Sequence, residues 1–208
     1  MRRPLNLKDQ PRIDAENIKK ILLIRLRRIG DVIMTTPAVS VLKKNFPDTE
    51  LSYVIEKPYA DLITGNPLIK ETFILPAHSH IKDFFSVIKK IRKKKFDAVI
   101  DFHGGPRSSL MALLSGACLR IGYKVKYKHF IYHIKLLRSA QKGYIHSVEN
   151  HVNLVKALGI KSGAIPPLYI PSSTEKENQK IEYIMSLHNP VSYTHLRAHE
   201  TSLHLVCR

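Results

Sequence analysis

Apolar positions run in short blocks along most of the chain, and the spacing inside the blocks switches repeatedly between two types. "KKILLIRL" at 19–26 is an unbroken apolar run of β-type residues and predicts a buried strand. "ELSYVIE" at 50–56, "KETFILP" at 70–76, "FDAVIDF" at 96–102 and "LRIGY" at 119–123 predict four more. Between them the spacing turns helical. Val32, Ile33, Val39, Leu42 and Phe46 predict one helix over 32–46 with Pro37 early in it, and Gly30 and Asp31 make the turn before it. "YADLITGNP" predicts a short helix closed by Gly65 and Pro67, and Ile81, Phe84, Phe85, Ile88 and Ile91 predict a longer one. "GGPRSSLMALLSGA" at 104–117 and "HSVENHVNLVKALGI" at 146–160 predict two more, the last ending at Gly159. Strands that alternate with helices imply a parallel, doubly wound, Rossmann-like α/β sheet.

The pattern fails at both ends. Residues 1–17 read as a flexible leader, and 18–165 as the domain. "IPPLYIPSS", with three prolines, opens a linker, and "TEKENQKIEYIMSLHNP" predicts a further helix before 190. The last 18 residues, "VSYTHLRAHETSLHLVCR", lack alternation and caps. They read as non-native sequence, of the kind left where adapter DNA is translated at a broken gene end. A His-rich metal-binding terminus through His195, His199 and His204 is the other reading.

Charge narrows the partners. Thirty-four Lys and Arg against seventeen Asp and Glu give a formal net charge of +17, which points to a polyanion: nucleic acid, an anionic membrane surface, or a phosphorylated or carboxylated substrate. No apolar run is long enough to span a bilayer, and the N-terminus has charges without an apolar core, so a cytoplasmic protein is expected. Two cysteines, Cys118 and Cys207, make neither a disulfide framework nor a CxxC metal site, and Cys118 is expected to be a small buried side chain. The loop after the first strand lacks GxGxxG, which argues against a dinucleotide-binding oxidoreductase.

"ILLIRLRRIGDVIMTTPAVSVLKKNFPDTELSYVIE" resembles the opening of glycosyltransferase family 9, the ADP-heptose:lipopolysaccharide heptosyltransferases. The resemblance rests on the first strand, a basic loop, Gly30-Asp31, the Thr36-Pro37-Ala38 turn, and Phe46-Pro47 ahead of the second strand. It continues through "NPLIKETFIL", "KKFDAVIDFHGGPRSSLMALLSGACLRIGY" and "HSVENHVNLVKALGI", covering about residues 19–170. Where many relatives carry small Ser residues, this chain has Arg27 and Arg28.

The resemblance implies the N-terminal, acceptor-binding half of a two-domain GT-B glycosyltransferase, with 166–190 as linker and start of a truncated donor domain. The implied reaction is inverting transfer of heptose from ADP-heptose, held by the other half, to a lipid-A-linked lipopolysaccharide inner core. It also implies a peripheral place on the cytoplasmic face of the inner membrane, no metal or cofactor, no nucleic acid, and no activity for this chain alone. A non-enzymatic basic module that binds nucleic acid is the alternative.

Two readings of Asp31 stand together: an N-cap of the following helix, and the general base that takes the acceptor hydroxyl's proton. Gly30 is either a turn residue or the place where the acceptor approaches the backbone. Arg27, Arg28, His103, Arg120 and His146 are further acceptor-side candidates. For Arg120 the plain alternative is a salt bridge at the sheet edge, for His103 scaffolding, and for His146 with Glu149 helix capping. Of two basic stretches, 89–96 reads as a solvated helix face, and 123–142, with Lys124, Lys126, Lys128, Lys135, Arg138 and Lys142 among Tyr and Phe, reads equally as a membrane or acceptor contact or as plain solvation.

Overall fold

A computed structural model describes residues 18–77, 80–124, 130–137, 145–160 and 163–172, and residue 179. The expected leader, the helix before 190 apart from residue 179, and the terminal tail therefore lie outside the described residues, as does part of the 123–142 basic stretch. The chain clusters into two units, 1–171 and 172–208, and the sheet with the helices packed on it belongs to the first.

Six parallel strands form one sheet: β1 (Lys20–Ile24), β2 (Glu50–Glu56), β3 (Glu71–Leu75), β4 (Ala98–Asp101), β5 (Leu119–Tyr123) and β6 (Ile134–Leu136), in the order β3-β2-β1-β4-β5-β6. Ile24 stands beside both Val54 of β2 and Asp101 of β4. That order is the doubly wound Rossmann arrangement, whose crossovers run outward in both directions from the β1/β4 pair. The α-helices on the sheet, among the described residues, are α1 (Ile29–Ile33), α2 (Thr36–Asn45), α3 (Asp61–Thr64), α4 (Ile81–Lys94), α5 (Pro106–Leu114) and α6 (Ser147–Lys156).

Period-2 alternation along β1 sets the layers. Ile21 and Leu23 pack with Val39, Leu42, Val152 and Val155 of α2 and α6, while Leu22 and Ile24 pack with Ile88, Ile91, Met111 and Ala112 of α4 and α5. Both faces are covered, which is why the strands read as continuous apolar runs.

Four expectations are corrected. The single helix over 32–46 is two, because Pro37 has no N–H to give the Ile33 carbonyl; Thr36 Oγ1 donates to that carbonyl at 2.7 Å, and Thr35 Oγ1 to Val32 O at 2.7 Å. Gly30 is inside α1 rather than in a turn. Cys118 is exposed, in the loop between α5 and β5. On α4 the predicted core residues Phe84, Ile88 and Ile91 are buried, but Ile81 and Phe85 face outward. One strand, β6, falls in the basic stretch where the apolar pattern predicts none; it is three residues long. The stretch 89–96 is the solvated carboxyl end of α4, as its charges suggest.

Candidate functional site

Open α/β sheets bind ligands beyond the carboxyl ends of their strands, at the point where the strand order reverses. Here that point lies between β1 and β4, and Arg25 occupies it. Its side chain is buried, at 6% exposure, and every edge of the guanidinium is used. Nε donates to Arg27 O at 3.0 Å, Nη1 donates to Phe102 O at 2.8 Å, and Nη2 pairs with Asp31 Oδ2. One arginine thus ties the end of β4 to the β1–α1 loop and to the carboxylate. The rigid fork of a guanidinium suits this threefold use.

Asp31 lies in the first turn of α1, where the helix dipole favours a negative charge, and its side chain is 38% exposed. It is not an N-cap: Arg28 holds that position and makes no side-chain cap, so the carboxylate is held by Arg25 instead. Arg27 and Arg28 are exposed beside it. Gly30 is exposed too. A Cβ there would meet only Met34 Cε, at 3.8 Å, so nothing in the fold demands a glycine and the space beside Asp31 is open. Behind the site Tyr53 is fully buried, with its hydroxyl 2.8 Å from Thr35 Oγ1, and burial pushes its phenol well above the usual range.

His103 follows β4 at the same edge. Buried Asp101 fixes this turn, its Oδ1 accepting from the amides of His103 at 2.8 Å and Gly104 at 3.0 Å. Its Oδ2 accepts from the Tyr132 hydroxyl, which lies 2.8 Å from Ser109 Oγ. Burial and the Asp101 carboxylate push the Tyr132 phenol upward, so it stays a donor. On the other face of the sheet, buried His151 of α6 stacks edge-on against Phe102 and lies 3.0 Å from the Tyr123 hydroxyl.

The fold therefore brings Arg27, Arg28, Gly30, Asp31 and His103 to one edge. His146 stands at the N-terminus of α6, where its Nδ1 accepts from Val148 N at 3.3 Å, so capping accounts for it, and Glu149 is in the helix's first turn, where the helix dipole favours its charge. Arg120 is placed elsewhere. It sits in the amino-terminal half of β5, opposite Val99, with Nε donating to Ile131 O at 2.7 Å and Nη1 to Ala117 O at 3.0 Å. Two of its donors are thus committed to backbone carbonyls and Nη2 lies 3.1 Å from His133 Nε2, and among the described residues it makes no salt bridge with a carboxylate. Arg25, Asp101 and Tyr132 carry the site's geometry, although the sequence does not single them out. Among the described residues no group of three His, Cys, Asp or Glu could hold a metal ion, and no helix is long and apolar enough to cross a membrane.

No protein-family model matches the chain. Lipopolysaccharide heptosyltransferase 3 of Escherichia coli is 24% identical over 168 residues, 76% of this chain and 49% of that protein. The crystal structure of a family 9 glycosyltransferase from Veillonella parvula superposes with a TM-score of 0.69 at 24% identity, covering 82% of this chain and 49% of its own. E. coli ADP-heptose lipopolysaccharide heptosyltransferase II superposes with a TM-score of 0.60 at 19% identity, over 81% of this chain and 50% of its own. The chain spans about half the length of the relatives it matches. In sequence this chain is similar to lipopolysaccharide heptosyltransferases, and in fold to the family 9 glycosyltransferases.

Proposed function

We propose that this chain is the acceptor-binding half of an inverting heptosyltransferase, that Asp31 is its general base, and that the acceptor is a lipid-A-linked core oligosaccharide at the cytoplasmic face of the inner membrane. The observation that carries the reading is the Arg25–Asp31 pair at the sheet's switch point, beside the open space at Gly30. Arg25 engages Oδ2, which leaves Oδ1 for a hydroxyl proton. In the reaction the acceptor oxygen attacks the anomeric carbon from the face opposite ADP. The carbon–ADP bond breaks with its electron pair leaving on ADP, and the hydroxyl proton passes to the carboxylate. A carboxylate is a weak base towards a free alcohol, but the hydroxyl becomes acidic as its new bond forms, so a late transfer suffices. Exposed Arg27 and Arg28 supply charge for the acceptor's phosphates and carboxylates. In this reading ADP-heptose is held by the other half of a two-domain protein, which fits relatives about twice as long as the stretch this chain matches.

The test is transfer by the full-length protein from ADP-heptose to a heptose-free lipid A–Kdo acceptor, followed by the anomeric configuration of the product. Heptose joined with inversion supports the reading. Transfer with retention, or transfer only from a different nucleotide-sugar, contradicts the mechanism or the donor respectively.

A further inference from the structure

Three large apolar side chains stand exposed together on the α4/α5 face: Ile81 at 77%, Phe85 at 53% and Leu110 at 42%. With His80, Phe84 and Arg107 they line a mostly apolar cleft of about 360 Å³. Phe85 is braced edge-on by Phe84, ring centroids 5.6 Å apart, so it is held outward. The helical period then places cations along the same outward stripe: Ile81, Phe85, Lys89 and Arg92 follow one another at spacings of four, four and three. Lys82, Lys90 and Lys93 are exposed elsewhere on α4, Lys94 pairs with Glu71 of β3 at 2.8 Å, and the helix's lone acid, Asp83, is used in the capping box with His80.

Apolar tips flanked by lysines are poorly suited to a protein interface, whose buried centre is depleted of Lys. They fit an anionic bilayer, where the apolar tips enter the acyl boundary and the lysines reach the headgroups. The patch is also joined to the candidate site. Arg107, on its rim, bonds buried Glu56 at 3.1 Å, and Glu56 N donates to Leu26 O, one residue past Arg25.

We infer that the surface formed by Ile81, Phe85 and Leu110 docks this domain onto an anionic phospholipid bilayer, with Lys89 and Arg92 of α4 on the headgroups. The inference rests on the membrane-peripheral part of the proposed function and deepens it, by naming the face that meets the lipid. Because α4 and α5 follow the parallel strands β3 and β4, their amino-terminal turns, which carry the patch, lie towards the carboxyl edge of the sheet, the edge that also carries Asp31.

The chain has no tryptophan, so single reporters are clean. Phe85→Trp tests this face, and Phe130→Trp tests the other basic stretch. Phosphatidylglycerol–phosphatidylethanolamine vesicles should shift the Phe85→Trp emission to the blue, with quenching by brominated lipid, and leave Phe130→Trp unchanged. The pair Ile81→Ser with Phe85→Ser should keep the wild-type melting temperature and bind the vesicles at least about tenfold more weakly. A shift at residue 130 and none at 85 overturns the inference while leaving membrane association standing. Failure of both reporters and of the wild-type chain to respond overturns both, without touching heptose transfer. A wild-type dimer that the serine pair disperses, with no vesicle response, makes the patch a protein interface and also overturns the inference.

Discussion

Arg25 and Asp31 are six residues apart and unequally visible in the sequence. Asp31 stands out because an acid directly after Gly, in the loop between the first apolar run and the next, marks the edge of an open sheet. Arg25 does not, because a single cation at the end of "KKILLIR" reads as the place where a strand meets solvent. Its burial depends on the Phe102 carbonyl, 77 residues away, which only the β1/β4 pairing delivers. Removing the guanidinium strands the Arg27 and Phe102 carbonyls and releases Asp31. Arg25→Met should therefore cost about 2 to 3 kcal/mol, at the rate of charged hydrogen bonds, measured as a lower urea midpoint with unchanged slope. A loss below about 0.5 kcal/mol would mean that water replaces those bonds readily. Gly30 gives the opposite expectation. With nothing nearer a new Cβ than 3.8 Å, Gly30→Ala should hold or raise the melting temperature, so any loss of acceptor binding would come from crowding the open space.

Element identity is legible wherever period and punctuation agree: five of the six strands and the α4, α5 and α6 helices follow the apolar spacing. The misses have local causes. Pro37 divides one predicted helix, since the period continues across the break even though the hydrogen-bond ladder does not. β6 is three residues inside a cationic stretch, too short to show alternation, and is recognised only through its pairing with β5. That pairing brings Tyr132 against Gly122, where an added Cβ would come 2.5 Å from the ring, and Asp101 holds the ring in place. Gly122→Ala should cost roughly 1 to 3 kcal/mol from overpacking, seen in thermal denaturation. The same edge carries a pH response. Arg120 N donates to His133 Nδ1 at 3.1 Å, which makes Nδ1 the acceptor of a neutral ring, and Arg120 Nη2 lies 3.1 Å from Nε2; protonating Nδ1 would break the first bond and put a second positive charge beside the guanidinium. Partial burial, Arg120 and Lys135 accordingly hold the His133 pKa below its ordinary value. Between that value and the ordinary one the unfolded chain binds more protons than the folded one. The contribution is thus complete above about pH 6.5 and is lost as pH falls through the folded pKa. His133→Gln should flatten the fall in melting temperature between neutral and mildly acidic pH; an unchanged profile would place the titration elsewhere.

At the scale of the whole molecule, the net charge of +17 points to a polyanion without choosing one, because charge is spread over surfaces that the sequence does not separate. The fold separates them. The 89–96 cations lie on the outside of α4, the arginines at 27 and 28 lie beside Asp31, and Arg120 is taken up by backbone carbonyls. If the donor nucleotide sits on the other half of a two-domain protein, as proposed, this chain alone should show no micromolar affinity for ADP-heptose by calorimetry, and binding at that level would contradict the proposed division of labour. The central claim is that the carboxylate held by Arg25 removes the acceptor's proton, and Asp31→Asn in the full-length protein tests it most directly. Asparagine keeps the size of the side chain and can still accept a bond from Arg25, so the fold should survive while the base is lost. We expect kcat to fall at least about a hundredfold, with the acceptor KM and the melting temperature little changed. A near-normal kcat combined with a lowered melting temperature would make Asp31 a structural partner of Arg25 and would move the search for the base to His103.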